Sequence, residues 1–289
     1  MRDRIIERKP VRHPVKRTLL YATAGGTALL MVGPLYWMFA TSFKQSGDIF
    51  ASPPEWIPSP FILQNYRDVF TLLPFERFFV NSIIVAFSIV ALNIVFDSMA
   101  AYAFAKLRFP GRDVIFFLLL ITLMIPFQVN LIPLYRLMVF FHGIDPRLGT
   151  DTYSGLILPS MIQVFGIFLM RQFFQSIPDE VLESARCDGA SEFRIIRSIV
   201  LPLALPGMAT LAIFTFLSAW NDFLWPLLVT SSDEMRTLPV GVALLARRNT
   251  INWGNTMAGT TLATLPMIAV FLVLQRRFIE GLTAGAVKG

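Results

Sequence analysis

Residues 180–202 read EVLESARCDGASEFRIIRSIVLP, acids and arginines alternating in a chain that is otherwise strongly apolar. Pro178 with Asp179 and Glu180 reads as a helix opening, since proline fits the first turn and acids suit the positive end of the helix dipole. Asp188-Gly189 reads as its stop, with the glycine in the left-handed conformation. A second short helix, Ser191 to Leu201, then runs into Pro202. The expectation is a helix–turn–helix on a membrane surface, held in place by the rest of the chain.

Composition supports the membrane. The 289 residues are 55% hydrophobic and 15% charged, with a mean hydropathy of +0.61. Soluble domains carry about a quarter charged residues, so a soluble globular class is excluded. A formal charge of +6 could suit nucleic acid. Much of the excess, however, sits in Arg2, Arg4, Arg8, Lys9, Arg12, Lys16 and Arg17, directly before the first apolar run. That is juxtamembrane placement, and it argues for a lipid bilayer and against a nucleic-acid partner. Cys187 is the one cysteine, which leaves no intramolecular disulfide and no multi-cysteine metal site. The first run is long and lacks a small-residue cleavage end, so a cleaved signal peptide is not expected.

A hydrocarbon core ~30 Å thick needs about 20 apolar residues. Such runs cover Leu19–Thr41, Phe78–Ala105, Val114 to about Val139, Ser154–Met170, Leu203–Val229 and Thr256–Leu274. The fold class is therefore all-α, a polytopic membrane protein with about six transmembrane helices. Lys and Arg set its orientation. With the N-terminus inside, the inner segments hold the basic tail, Lys106, Arg108, Arg112, Arg171, Arg186, Arg194, Arg197, Arg276, Arg277 and Lys288. The outer ones hold Lys44, Arg67, Arg77, Arg136, Arg147, Arg236, Arg247 and Arg248, so the inside wins by roughly two to one. Both termini and the 180–202 stretch are expected in the cytoplasm. The organisation follows: a basic tail (1–18), a first helix with a proline-rich outer loop (19–76), a five-helix core (77–275) with a cytoplasmic loop at 176–202, and a C-terminal tail (276–289).

Outer residues 44–76 carry Pro53, Pro54, Pro58 and Pro60 with Trp56 and Tyr66. They read either as a plain connector or as a docking surface for an outside partner. Residues 230–255 form the other sizeable outer loop.

Polar groups interrupt three spans. Pro126 and Pro133 bracket Gln128 and Asn130, and each proline removes a backbone hydrogen bond and bends its helix. Trp220-Asn221-Asp222 lies in the outer half of the fifth run, and Asp97 in the inner half of the second. An acid within a span costs about 2.5–3.5 kcal/mol on insertion scales, so it faces a cavity or a partner. Gln128, Asn130 and Gln163 read equally as hydrogen bonds between helices or as ligand contacts. Asp222 leans toward a polar pathway, and Asp97 is open between a structural and a functional role. Gly25, Gly26 and Gly33 read as close helix packing. There is no HExxH, no P-loop and no GxSxG, and His13 and His142 fall on opposite sides of the membrane. Catalytic and metal residues are absent from the reading, so energy must come from another chain or from an ion gradient.

The sequence resembles the permease subunits of binding-protein-dependent ABC importers at Glu183-Ser184-Ala185, Asp188-Gly189-Ala190 and Ile199-Val200-Leu201-Pro202, the three parts of the EAA loop in order. Ser184 in place of alanine departs mildly from that pattern. LRFPGR (107–112), WNDFLWPL (220–227), TLPVGV (237–242) and QRRFIEGLTAGAVKG (275–289) resemble the MalG-like carbohydrate branch of this MetI-like family. The resemblance implies the type I ABC importer architecture in a prokaryotic inner membrane. It implies a homologous permease subunit beside this chain and cytoplasmic ATP-binding subunits that hold ATP and Mg, with no cofactor on the chain itself. An extracytoplasmic solute-binding protein would deliver a carbohydrate substrate. Glu183, Ser184, Ala185, Asp188, Gly189, Ala190, Ile199, Leu201 and Pro202 would form the coupling loop gripped by the ATPase, and the C-terminal tail could touch it too. Gln128, Asn130, Gln163, Asn221 and Asp222 are the candidates for the sugar pathway. The rival readings are an ion-gradient transporter or channel, with Asp97 or Asp222 as coupling acid, and an intramembrane enzyme.

Overall fold

A computed structural model describes residues 14–246 and 252–284, and every regular element among them is helical. Most of the basic N-terminal tail, Arg247, Arg248 and the last five residues of the C-terminal tail lie outside the described residues. In chain order the helices are α1 (Pro14–Thr41), α2 (Gln64–Leu72), α3 (Phe75–Lys106), α4 (Arg112–Thr122), α5 (Phe127–Ile144), α6 (Tyr153–Ile157) and α7 (Val164–Gln175). There follow α8 (Asp179–Cys187), α9 (Glu192–Ile195), α10 (Leu201–Leu203), α11 (Leu205–Trp220), α12 (Leu224–Val229), α13 (Leu238–Leu245) and α14 (Trp253–Ala284).

Among the described residues three stretches are long and apolar enough to cross a membrane unbroken: Arg17–Thr41, Phe75–Lys106 and Trp253–Val273. Three more candidates are bent pairs, which brings the number to six if each pair is one span. The pair α4–α5 turns by 97°, the pair running from Tyr153 to Gln175 by 46°, and the pair running from Glu192 to Trp220 by 81°. A proline lies at or just before each break: Pro126, Pro159 in the turn that ends at Ser160, and Pro202 with Pro206. Proline supplies no N–H and disfavours helical geometry in the residue before it, so these are the positions where a helix yields. The third run, expected as continuous from Val114 to Val139, is therefore two helices. Pro133, by contrast, sits inside an unbroken α5. The fifth run also stops early, because α11 ends at Trp220 and the chain restarts at Leu224.

Helix α3 is the central post. At 32 residues it is about 48 Å long by the 1.5 Å rise. Pro74 precedes it, Glu76 sits in its first turn and Lys106 in its last, matching the dipole at both ends. Near its start, Asn81 Nδ2 donates to the carbonyls of Glu234 and Arg236, both at 2.8 Å, and Tyr153 donates to Asn81 Oδ1 at 2.7 Å. Ser82 Oγ accepts the N–H of Leu238 at 2.8 Å. Trp220 Nε1 ties α11 to α14 through the carbonyl of Ala263 at 3.0 Å. At the same end the proline-rich segment folds back on α1. Lys44, 1% exposed, lies 4.3 Å above the Trp37 ring and donates to the carbonyl of Glu55, while Tyr36 donates to the carbonyl of Trp56 at 2.9 Å. The segment is thus a built surface and no slack connector.

Helix α1 lies mostly exposed and packs chiefly on α14. A Cβ added to Gly25, Gly26 or Gly33 would meet nothing within 4 Å. The close packing expected of these glycines does not occur among the described residues.

Candidate functional site

The 180–202 stretch folds as expected in outline, and its turn is fully hydrogen-bonded. Gly189 takes φ +79°. The N–H of Gly189 donates to Arg186 O and that of Ala190 to Ala185 O, each at 3.0 Å, the paired bonds of a Schellman stop. Ser191 then caps α9, its Oγ accepting the N–H of Arg194 at 3.4 Å. The second helix does not end before Pro202. It passes through a π-helical turn, Ile196–Val200, and continues to Leu203. A wider turn ahead of a proline relieves the clash of its ring with the preceding carbonyls.

Leu182, Ile195 and Val200 are buried in the core that Tyr102, Phe104, Met170, Phe174 and Leu211 form at the Lys106 end of α3. Burial of one such side chain contributes about 1.5–3 kcal/mol. Ala185, Ala190, Ile199 and Leu201 pack partly against the same core. Glu183, Ser184, Asp188, Gly189 and Pro202 are exposed. The nine residues singled out in the loop therefore split into an anchoring face and a presented face.

One ion pair and one tyrosine hydrogen bond fix the loop to α3. Arg186 holds the Glu192 carboxylate through both fork nitrogens, at 2.7 and 3.3 Å, and Tyr102 donates to the same carboxylate. Lys106, whose side chain is only 5% exposed, donates to Asp179 at 2.5 Å and to the carbonyl of Ile177 at 2.6 Å. The hydrogen bonds from Arg186 and Tyr102 hold the Glu192 carboxyl below its ordinary range, and the Lys106 hydrogen bond and charge do the same for Asp179. The Arg186 guanidinium is pushed up by its bond to Glu192. Arg186 thus spans from α8 to α9 to reach Glu192. Glu183 is left lining a cleft of about 290 Å³ with Lys106, Arg108 and Asp179. Sequence reasoning missed Phe193, which is 67% exposed on a loop whose Arg194 and Arg197 are exposed too. The signal was present: Phe193 is two residues from buried Ile195, about 200° around the helix.

The polar pathway candidates are disposed differently. Gln128 and Asn130 are exposed in the first turn of α5. The Phe127 ring lies edge-on to Trp225 at 6.5 Å, which sets that turn beside the Asp222–Trp225 corner. Asp222 caps α12, its Oδ1 accepting the N–H of Trp225 at 3.4 Å. Asn221 donates from Nδ2 to Leu217 O at 2.8 Å and lines a cavity of about 310 Å³ with Trp220, Phe223, Thr260 and Thr264. Gln163 precedes α7, and its backbone N–H donates to Asp97 Oδ1 at 3.0 Å. Among the described residues no group of three or more His, Cys, Asp or Glu is placed to hold a metal ion.

These features are those of a helical membrane permease. The chain belongs to the family described as binding-protein-dependent transport system inner membrane component, whose profile matches residues 98–283. It is thus a multi-pass permease subunit of an ABC importer, a transport component and not an enzyme. It is similar to the arabinooligosaccharides transport system permease protein AraQ of Halalkalibacterium halodurans, 37% identical over 279 residues that cover 96% of this chain and 98% of that one. It is also similar to the sn-glycerol-3-phosphate transport system permease protein UgpE of Yersinia enterocolitica, 36% identical over 262 residues, 88% of this chain and 91% of that one. Among solved structures, a chain of a bacterial ABC transporter involved in the import of the acidic polysaccharide alginate shares the fold. Its TM-score is 0.81 at 24% identity, over 93% of this chain and 100% of that one.

Proposed function

We propose that this chain is a permease subunit of an ATP-driven sugar importer and that residues 180–202 seat in a cytoplasmic ATP-binding subunit. The observation that carries the reading is the shape of the loop. A short helix, a Schellman stop at Gly189 and a second helix form a rigid projection, clamped to α3 by Lys106 and Tyr102 and exposing Glu183, Asp188 and Phe193. When a pair of ATP-binding subunits closes around ATP and Mg, a projection of this kind is pulled as one body. Helix α7 runs directly into it, so the pull reaches the spans.

The pathway forms between this chain and a homologous permease subunit. In this reading both termini and the loop are cytoplasmic, and a solute-binding protein docks on the opposite side, on residues 44–76 and 230–255. The family description names binding-protein dependence. The relatives' names give arabinooligosaccharides and sn-glycerol-3-phosphate, both polyhydroxylated. Carbohydrate is favoured because the candidate contacts are amides, hydroxyls and aromatic faces: Gln128, Asn130 and Gln163, together with Asn221, which lies beside Phe223, Thr260 and Thr264. Asp222 serves that region by capping α12.

The test is reconstitution of the chain in proteoliposomes with its partner permease, ATP-binding subunits and binding protein, using an arabinooligosaccharide as probe. Uptake should require ATP, and Glu183→Arg should insert normally yet abolish it. Uptake that persists without the ATP-binding subunits and follows a proton or sodium gradient would overturn the reading in favour of a secondary transporter.

A further inference from the structure

Asp97 is a carboxylate inside a span, and neither the ATPase contact nor the sugar contacts proposed above give it a role. It is 0% exposed on α3, with Oδ1 bonded to the N–H of Gln163 at 3.0 Å and Oδ2 buried without a partner. Gly166 lies directly against it, for a Cβ built there would stand 2.0 Å from Oδ2. One turn earlier on α3, buried Asn93 donates from Nδ2 to the carbonyl of Ser160 at 2.7 Å. Asn93 and Asp97, four residues apart on one helix face, thus grip the two sides of the break between Ser160 and Val164. The carboxylate also sits at the positive dipole end of α7.

The other end of α7 is fixed to the same helix. Arg171 Nε donates to Phe104 O at 3.2 Å, and Lys106 holds Ile177 and Asp179 just beyond. Helix α7 is therefore strapped to α3 at both ends, with the coupling loop attached below and Gln163 above. From this placement we infer that Asp97 is a positioning residue for transport. By holding the start of α7 it makes α3, α7 and the 180–202 loop one lever, so that displacement of the loop arrives at Gln163 and the break instead of being lost as α7 slides along α3. Gly166 belongs to the device because any side chain there would push the carboxylate away. The inference rests on the coupling role proposed for the loop.

The test uses the assembled transporter in proteoliposomes with MgATP, with an arabinooligosaccharide added for the transport readout. Spin labels go on Cys187, the exposed native cysteine, and on Ile162→Cys, which brackets α7 from the other end. In the wild-type background the label-to-label distance should be narrow and the same with and without ATP. Asp97→Ala should broaden that distribution and raise the ATP hydrolysed per arabinooligosaccharide transported by at least about threefold. Asp97→Asn, which keeps an acceptor for the Gln163 N–H, should restore both. Gly166→Ala reads the same contact from the other side should Asp97→Ala fail to assemble, and it should broaden the distance likewise. A distribution as narrow as wild type in Asp97→Ala or Gly166→Ala overturns the inference, as does an Asp97→Asn variant as broad as Asp97→Ala. Failure of the coupling reading has a separate signature: Cys187 would then show no ATP-dependent change in mobility in the wild-type complex.

Discussion

The 180–202 loop and the polar residues of the proposed pathway are both hydrophilic insertions in an apolar protein, yet they are built in opposite ways. In the loop almost every polar contact is internal to the chain: the Gly189 stop, the Ser191 cap, Arg186 on Glu192 and Lys106 on Asp179. What it presents outward is therefore rigid before any partner arrives. In the pathway, Asn221 and Asp222 spend bonds on adjacent backbone, while Gln128 and Asn130 face outward from this chain. One region is complete in a single chain; the other, on the proposed reading, acquires its chemistry by assembly. Preorganisation suits the force-transmitting part proposed for the loop, whereas a proposed sugar site has to bind and release.

The largest expected effect comes from breaking the rigid region. Gly189→Val forces a β-branched residue to positive φ, at roughly 1–2 kcal/mol of backbone strain. No atom lies within 4 Å of the new Cβ, so folding and membrane insertion should survive. ATP-driven uptake should fall by at least about tenfold, in keeping with 1.4 kcal/mol per decade. Uptake within twofold of wild type would remove the loop from the account.

Glu192→Ala comes next. It deletes the acceptor of both Arg186 and Tyr102, and because the site is half exposed the loss is roughly 1 kcal/mol, below the usual value for a charged hydrogen bond. Thermal unfolding of the purified complex reads this directly. The same pair predicts a pH dependence. Glu192 and Asp179 have lowered pKa values in the folded chain, so their contribution is full above the unfolded value of about 4 and is lost as pH falls through the lower folded values. The stability gap between wild type and Glu192→Gln should hold constant from pH 8 to about 5 and close below about 4. A gap that instead widens in acid would mean the carboxylate is not paired as described.

Effects in the pathway should be smaller in a single variant. Asn221→Ala removes one amide from the cavity beside Phe223 and should raise the KM for arabinooligosaccharide uptake roughly three- to tenfold, the worth of one hydrogen bond, with ATPase activity unchanged. Gln128→Ala should act more weakly still in this chain alone and show its effect only combined with a substitution in the partner permease. A large effect of Gln128→Ala by itself would dissolve the contrast between the two regions.

The contrast also tracks what could be read from the sequence. The loop was legible because its determinants are local: Pro178, Gly189 and Ser191 each act within a few residues of themselves. The apolar runs were legible for the same reason. Contacts over long sequence separations were not. Tyr102 meets Glu192 across 90 residues and Asp97 meets Gln163 across 66, and no periodicity marks such pairs. The 97° turn at Pro126 was visible as a proline but not as an angle, since Pro133 in the same run leaves its helix unbroken. The open space around Gly25, Gly26 and Gly33 was not legible either, because small residues in a span look the same whether or not a helix packs on them.

On the proposed function, the projection around Gly189 is seated in an ATP-binding subunit. A benzophenone photo-crosslinker on Cys187, which is exposed at the end of α8, tests it most directly in the assembled transporter. The expected result is a covalent adduct to an ATP-binding subunit that is lost in Gly189→Val. An adduct to the solute-binding protein, or one to the ATP-binding subunit that persists unchanged in Gly189→Val, would contradict it.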